Sequence, residues 1–181
     1  MKLLLFFILS LPLVVLSRRT LFNLKKHGFY RLVVWECILW ISIRNHRHLI
    51  VETFDLQQFI ASVLMIASLA FVLSAVFMLR RKGRANRQRD DETLFVFEKT
   101  TVVIESGIFR YVRHPMYSSL LLLAWGLMLR NIETPSLMVA IVATGAGIVA
   151  ALVEEKENIA YFGERYKRYM LKTKRFVPYF I

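Results

Sequence analysis

The stretch 59–79 holds 21 consecutive residues without a single charged side chain. As a helix it rises about 31 Å, enough to cross the hydrocarbon core of a bilayer, where only a helix or a closed barrel satisfies its own backbone. Four more apolar runs, 3–16, 32–43, 116–129 and 137–153, repeat the pattern. Together the five runs hold most of the apolar residues of a 181-residue chain that is 56% hydrophobic. The expected fold class is therefore all-α: an integral membrane helical bundle of about five transmembrane helices. The second run carries Glu36 and is short, so alone it also suits an interfacial helix. The first has Lys2 ahead of it, but Arg18 and Arg19 follow Ser17 with no small-residue cleavage site, so an uncleaved helix is expected rather than a signal peptide.

Charge placement gives the orientation. With the amino terminus outside and the carboxyl terminus cytoplasmic, segments 18–31, 80–113 and 154–181 hold five, nine and seven Lys plus Arg, 21 in all. The outer side keeps only Lys2, Arg44, Arg47 and Arg130. That asymmetry follows the positive-inside rule and requires the second run to cross. It also absorbs the net charge of +12, because basic residues alternating with apolar runs orient a membrane protein, whereas a nucleic-acid binder gathers them on one soluble face. No nucleic-acid partner is expected. The single cysteine, Cys37, lies in an apolar run and reads as a small buried hydrophobe. The segment 80–91 reads as a basic loop against the inner membrane surface. His46 and His48 sit two apart in an outer loop, a spacing that fits no helical ligand face, and His27 has no evident partner.

Three stretches carry chemistry. In 107–117, Gly107 permits a turn and Pro115 suits the first turn of the helix formed by the fourth run, which holds Arg110, Arg113 and His114 at a helix mouth. Unpaired amides there favour an anion, whether a lipid headgroup or a ligand. The fifth run begins after a short linker with Pro135 and Ser136 at its start, and ends at Glu154, Glu155, Lys156 and Glu157, acids that are unexpected at a basic membrane boundary. Lys156 and Lys167 are their nearest partners in sequence. Ala143, Gly147 and Ala151 form a small-residue stripe that reads as helix packing before it reads as a ligand groove. Glu154, seven residues after Gly147, projects within about 20° of that stripe, while Glu155 points elsewhere. Finally, Ile159, Phe162, Tyr166 and Tyr169 share one helical face, which predicts a cytoplasmic, carboxyl-terminal amphipathic helix lying along the membrane.

In this order and spacing the stretches resemble the isoprenylcysteine carboxyl methyltransferase family, among the phospholipid methyltransferase-like membrane enzymes. The resemblance rests on Gly107-x-Phe109, then Arg113-His114-Pro115-x-Tyr117, an apolar hairpin, Glu154-Glu155, Phe162-Gly163-x-x-Tyr166-x-x-Tyr169 and Arg175-Phe176-x-Pro178. It covers residues 100–178, so one domain, 1–181, is expected, with amino-terminal helices in 1–79 and a cofactor-binding core in 100–178. The resemblance implies an S-adenosylmethionine-dependent methyltransferase, acting as a monomer on a lipid or hydrophobic small molecule. The implied cofactor contacts are Thr101, Val102, Val103, Ile104, Phe109, His114, Pro115, Met116, Tyr117 and Glu154. The family's arginine for a substrate carboxylate falls on Ala150, leaving Arg113, Arg110 and Arg175 for that duty. A thiol or amine acceptor has a proton to lose, with His114 or Glu155 as its base, and the catalytic set is then Arg113, Glu155 and Arg175. A groove between helices is expected to admit the acceptor while the cofactor enters from the cytoplasm. No metal is implied. A phospholipid N-methyltransferase, a sterol-reductase-like enzyme using NADPH and a lipid-binding scaffold are the alternatives.

Overall fold

The computed structural model describes residues 1–50, 55–83, 94–95 and 97–178. Each apolar run lies within a helix: α1 (Lys2–Ser17), α2 (His27–Arg44), α3 (Leu56–Lys82), α4 (Pro115–Arg130) and α5 (Thr134–Phe162), followed by α6 (Glu164–Lys172). Short 3-10 turns occupy His46–His48 and Gly107–Arg110, and no strand forms among the described residues. The all-α class expected from the runs is the observed one. Two helices, α3 and α5, are long and apolar enough to cross a membrane. The 16-residue α1 and α4 rise only about 24 Å.

The helices begin and end where local chemistry directs. Asp55 caps α3 by accepting from the Gln58 amide at 2.7 Å. Proline stands in the first turn of both α4 and α5, where its missing N–H costs nothing. The α3 helix runs on through Arg80, Arg81 and Lys82, so the basic loop expected from residue 80 starts later. Cations in a last turn complement the helix dipole, and their long stems reach out of an apolar layer. Residues 84–91 of that loop lie outside the described residues. Acidic Glu154 through Glu157 do not end α5, which continues to Phe162.

Packing pairs α3 with α4 and α2 with α5, while α1 leans on α2. Ile41 of α2, Leu127 and Met128 of α4 and Ala140 of α5 form one buried cluster. Cys37 is buried with Ala124 and Ala143 in another. The small-residue stripe of α5 is packing surface: a methyl at Gly147 would meet Leu121 of α4 at 3.0 Å. Polar side chains close the carboxyl end of α4. Gln57, Gln58 and Asn45 donate to the carbonyls of Leu129, Arg130 and Leu127 at 2.7, 3.0 and 2.8 Å. Helix ends near lipid need such partners because no water satisfies them. Outward faces are apolar, with Ile66, Leu69 and Leu73 of α3 more than half exposed. In a bundle this size that surface belongs against lipid tails.

Gly126 lets α4 lie close against α3. A methyl there would sit 2.8 Å from Met65 Cγ and 3.2 Å from the Ala61 carbonyl oxygen, and backbone cannot yield as a side chain does. At Gly145 nothing lies within 4 Å. Gly126→Ala is therefore expected to cost about 1–3 kcal/mol and lower the melting temperature in detergent, whereas Gly145→Ala leaves it unchanged or slightly raised.

Candidate active site

The turn at Gly107 starts the site. Its φ of 61° is a conformation side chains rarely adopt, and a methyl would collide with Met78 Cε at 2.6 Å. The chain then passes through Phe109, whose carbonyl accepts the Tyr169 hydroxyl at 2.6 Å, and reaches Arg113, His114 and Pro115 at the mouth of α4. The carboxyl-terminal tail lies alongside. Arg113 and His114 amides donate to the carbonyls of Lys174 and Arg175 at 2.8 and 3.1 Å, and Ser118 Oγ donates to the Phe176 carbonyl at 2.7 Å.

Glu155 fastens this corner. Its Oε1 accepts from Arg113 Nε at 2.9 Å and from Arg175 Nε at 3.1 Å, while its Oε2 accepts from Arg175 Nη2 at 2.8 Å. Arg113 also donates to the carbonyls of Met170 and Thr173. Charge-assisted bonds shared this way hold α5, α4 and the tail in one arrangement. His114 stands between two consecutive acids, with Nε2 3.4 Å from Glu155 Oε1 and Nδ1 3.8 Å from Glu154 Oε2. Because one residue along a helix turns the side chain by about 100°, Glu154 faces a cavity while Glu155 faces the tail.

That cavity has a volume of about 270 Å³, near the low end of the roughly 300–1,000 Å³ usual for small-molecule sites. Val102, Val103, Ile104, Phe109, Arg113, His114, Pro115, Met116, Tyr117 and Glu154 all line it. Thr101 does not; its amide donates to the Gly83 carbonyl at 3.1 Å outside the lining. Glu155 and Arg175 lie behind the wall, and Arg110 is exposed with its guanidinium 5.9 Å from the Tyr111 ring. Glu154 forms no salt bridge with Arg or Lys among the described residues. Its nearest ion-pair partner is His114, beyond hydrogen-bond reach, so the cavity has a carboxylate able to face a cation.

Several lining groups come from outside the expected set. Asn158, Phe162, Tyr166 and Tyr169 enter from the end of α5 and from α6. Their aromatic face was expected along the membrane, but Gly163, at φ 61°, breaks the helix and turns Tyr166 and Tyr169 inward onto Val103. Burial pushes both phenols well above their ordinary range, so their hydroxyls remain donors. At the opposite side, Arg31 of α2 donates from Nη1 to Glu98 Oε2 at 3.1 Å and its guanidinium sits 5.1 and 4.8 Å from the rings of Trp35 and Phe95. Glu98 also accepts the Phe95 amide at 2.9 Å, and burial holds its carboxyl above the usual carboxylate range despite Arg31. His27 does have a partner: its Nδ1 lies 2.5 Å from Glu157 Oε2 of α5. So the acids of 154–157 find partners across the fold, and Lys167 pairs with Glu164 instead.

A second hollow of about 370 Å³ adjoins the first, sharing Trp35, Phe95 and Leu120 as its wall. Its remaining lining is Leu13 and Leu16 of α1, Ile38, Leu39 and Ser42 of α2 and Leu123 of α4, almost entirely apolar.

The model of the phospholipid methyltransferase family matches residues 56–165, from the start of α3 through the corner, the hairpin and both acids. The chain belongs to the phospholipid methyltransferase family. As the resemblance implied, this is a family of membrane methyltransferases. A methanethiol S-methyltransferase of Crocosphaera subtropica (strain ATCC 51142 / BH68) is similar, 34% identical over 73 residues. The match takes in 40% of this chain and 28% of that protein, so the chain covers well under two thirds of the relative's length. No solved structure matches.

Removing Glu155 leaves the buried Arg113 uncompensated and releases Arg175. Glu155→Ala is expected to destabilise the protein by about 3–5 kcal/mol and to raise hydrogen exchange across 173–178. Arg175→Ala, at a partly exposed position, costs less, and thermal unfolding in detergent ranks the two.

Proposed function

We propose that this protein is a membrane methyltransferase that uses S-adenosylmethionine and acts on a lipidic or small hydrophobic acceptor. The observation that carries the reading is Glu154, a carboxylate on the wall of a small cavity at a helix mouth, free of any arginine or lysine salt bridge among the described residues. The donor set suits the cofactor. When bound, S-adenosylmethionine supplies an electrophilic methyl carbon on a sulfonium sulfur. Glu154 offsets the cofactor's positive charge, and His114 with the backbone at the start of α4 holds its carboxylate or ribose end. Phe109, Phe162 and Tyr166 enclose its apolar parts and exclude water. Arg113 keeps the corner rigid through Glu155, so the nucleophile and the methyl carbon are held in line.

The acceptor reaches the cavity from the membrane. The apolar hollow between α1, α2 and α4 has room for a hydrocarbon tail and shares a wall with the cavity, which supports entry between helices. Five spans, an outside amino terminus and a cytoplasmic carboxyl terminus place the corner at the inner surface, where a soluble cofactor arrives; the charge asymmetry of 21 against 4 supports this orientation. The position of the family's carboxylate arginine, Ala150, is fully buried against Tyr117 and Phe176. A carboxylate acceptor has no partner there. A relative named for methanethiol S-methylation favours sulfur as the attacking atom, and membership of the phospholipid methyltransferase family keeps an amine as the second reading.

Calorimetry in detergent tests the cofactor. S-adenosylmethionine binds and NADPH does not; Glu154→Gln and His114→Ala each weaken binding by about 10- to 100-fold, the worth of a charge-assisted contact, while Arg110→Ala leaves it unchanged. If both site variants bind as tightly as the parent, Glu154 and His114 are not cofactor groups and the reading fails.

A further inference from the structure

A thiol or amine acceptor must lose a proton when it takes a methyl group, and four groups on or near the cavity are candidates to receive it. Glu155 lies behind the wall with both oxygens bonded to guanidinium groups. His114 stands between two carboxylates. Glu154 is assigned to the positive charge of the cofactor. Glu98 remains. It lines the same cavity from the opposite side and is largely shielded, with side-chain exposure of 10%. Both of its side-chain hydrogen bonds, from Arg31 and from the Phe95 amide, end on Oε2. Among the described residues no donor reaches Oε1. Trp35 and Phe95 beside it form the wall shared with the apolar hollow, so a nucleophile on a hydrocarbon tail lying in that hollow arrives next to this carboxylate.

We propose that Glu98 is the general base of the methyl acceptor's site and that the acceptor is an amphipath whose attacking atom carries a proton, an alkyl thiol before an alkyl amine. This deepens the methyltransferase reading and rests on it. In the step, a lone pair of the acceptor sulfur forms the S–CH3 bond. The electron pair of the breaking CH3–S bond returns to the donor sulfur, leaving a neutral thioether. The acceptor's S–H proton passes to Glu98 Oε1, and the resulting carboxylic acid later releases it to water.

The surroundings suit a base. Burial raises the Glu98 carboxyl, with Arg31 opposing the shift, and the charged or titratable groups that face it are Arg31 and His27 of α2 and Glu154 of α5, with Tyr117 of α4 beyond. A base stronger than an ordinary carboxylate takes a thiol proton more readily. Arg31 keeps it ionised and in place. Each arginine on the described wall is already paired, Arg31 with Glu98 and Arg113 with Glu155, so neither is left to bind a substrate carboxylate.

The test compares the parent with Glu98→Gln, which keeps an acceptor oxygen for Arg31 and the Phe95 amide. The paired variant Arg31→Gln with Glu98→Gln removes both charges, so no buried guanidinium is left uncompensated. The parent is expected to methylate a long-chain alkyl thiol with an acidic limb in its pH profile. Both variants lose on the order of 10²- to 10⁴-fold in kcat/KM and lose that limb, with cofactor affinity by calorimetry unchanged. An aryl thiol acidic enough to be ionised at the assay pH recovers most of the loss. In cofactor-free protein, difference infrared titration shows a carboxyl band with a raised midpoint that Glu98→Gln abolishes. Equal pH profiles for parent and variants, or an infrared band that survives Glu98→Gln, overturn the base assignment. Cofactor binding with transfer only to acceptors that are already ionised overturns it while sparing the methyltransferase reading. Absence of cofactor binding overturns both.

Discussion

A carboxylate buried at the end of a membrane helix is costly unless it is neutralised, and Glu155 is neutralised twice, by Arg113 and by Arg175. The rest of the site depends on that pairing. It joins the mouth of α4, the carboxyl-terminal part of α5 and the carboxyl-terminal tail, beside the apolar contacts of Tyr117, Ala150, Ala151 and Phe176. The tail contributes main-chain carbonyls that accept from the amides of Arg113 and His114 and from the Ser118 hydroxyl, so these three donors are satisfied within the protein. With Glu155 committed to structure, the adjacent acid is turned by helical geometry toward the cavity. Two consecutive glutamates thus face different ways, one bonded into the corner and one lining the cavity.

The cavity's electrostatics follow from the same economy. Arginine–carboxylate pairs hold its walls at either end, Arg113 with Glu155 and Arg31 with Glu98. Glu154 is the lining acid without an arginine partner among the described residues; its ion-pair contact is His114 at 3.8 Å, and at low dielectric its charge acts strongly on whatever enters. Burial between helices and aromatic side chains supplies that dielectric. The apolar hollow next door shares Trp35, Phe95 and Leu120 with that cavity and is otherwise lined almost entirely by aliphatic side chains.

Much of the corner was legible because it is local. Gly107 and Pro115 dictate a turn and a helix start whatever surrounds them, and the spacing from Gly107 to Tyr117 then places Phe109, His114 and Tyr117 together. Glu154 was legible through helical phase, seven residues after Gly147. Partners far apart in the chain were not. Arg31 and Glu98 are separated by 67 residues and His27 and Glu157 by 130, and no periodicity connects such pairs. Tyr166 and Tyr169 mislead for a different reason. Their spacing correctly predicts a shared helical face, but which way that face turns is decided by the backbone at Gly163, where one positive φ redirects the helix. Ala143, Gly147 and Ala151 read as packing and are packing, because small residues at that spacing let helices approach and leave no room for a ligand.

By itself, the sequence determined that the chain is helical, since uncharged runs of this length leave the backbone no other way to satisfy its hydrogen bonds in lipid. It also determined the turn chemistry of the corner and the family signature, both being matters of short-range order. Only the tertiary structure decided that Glu155 serves the scaffold, that the aromatic face of α6 closes a cavity, and that α2, which shares no motif with the rest, supplies Arg31 and Trp35 to the far wall. Those outcomes depend on which helices lie side by side. That choice is made by packing and charge pairing summed over the whole bundle, and no segment carries it alone.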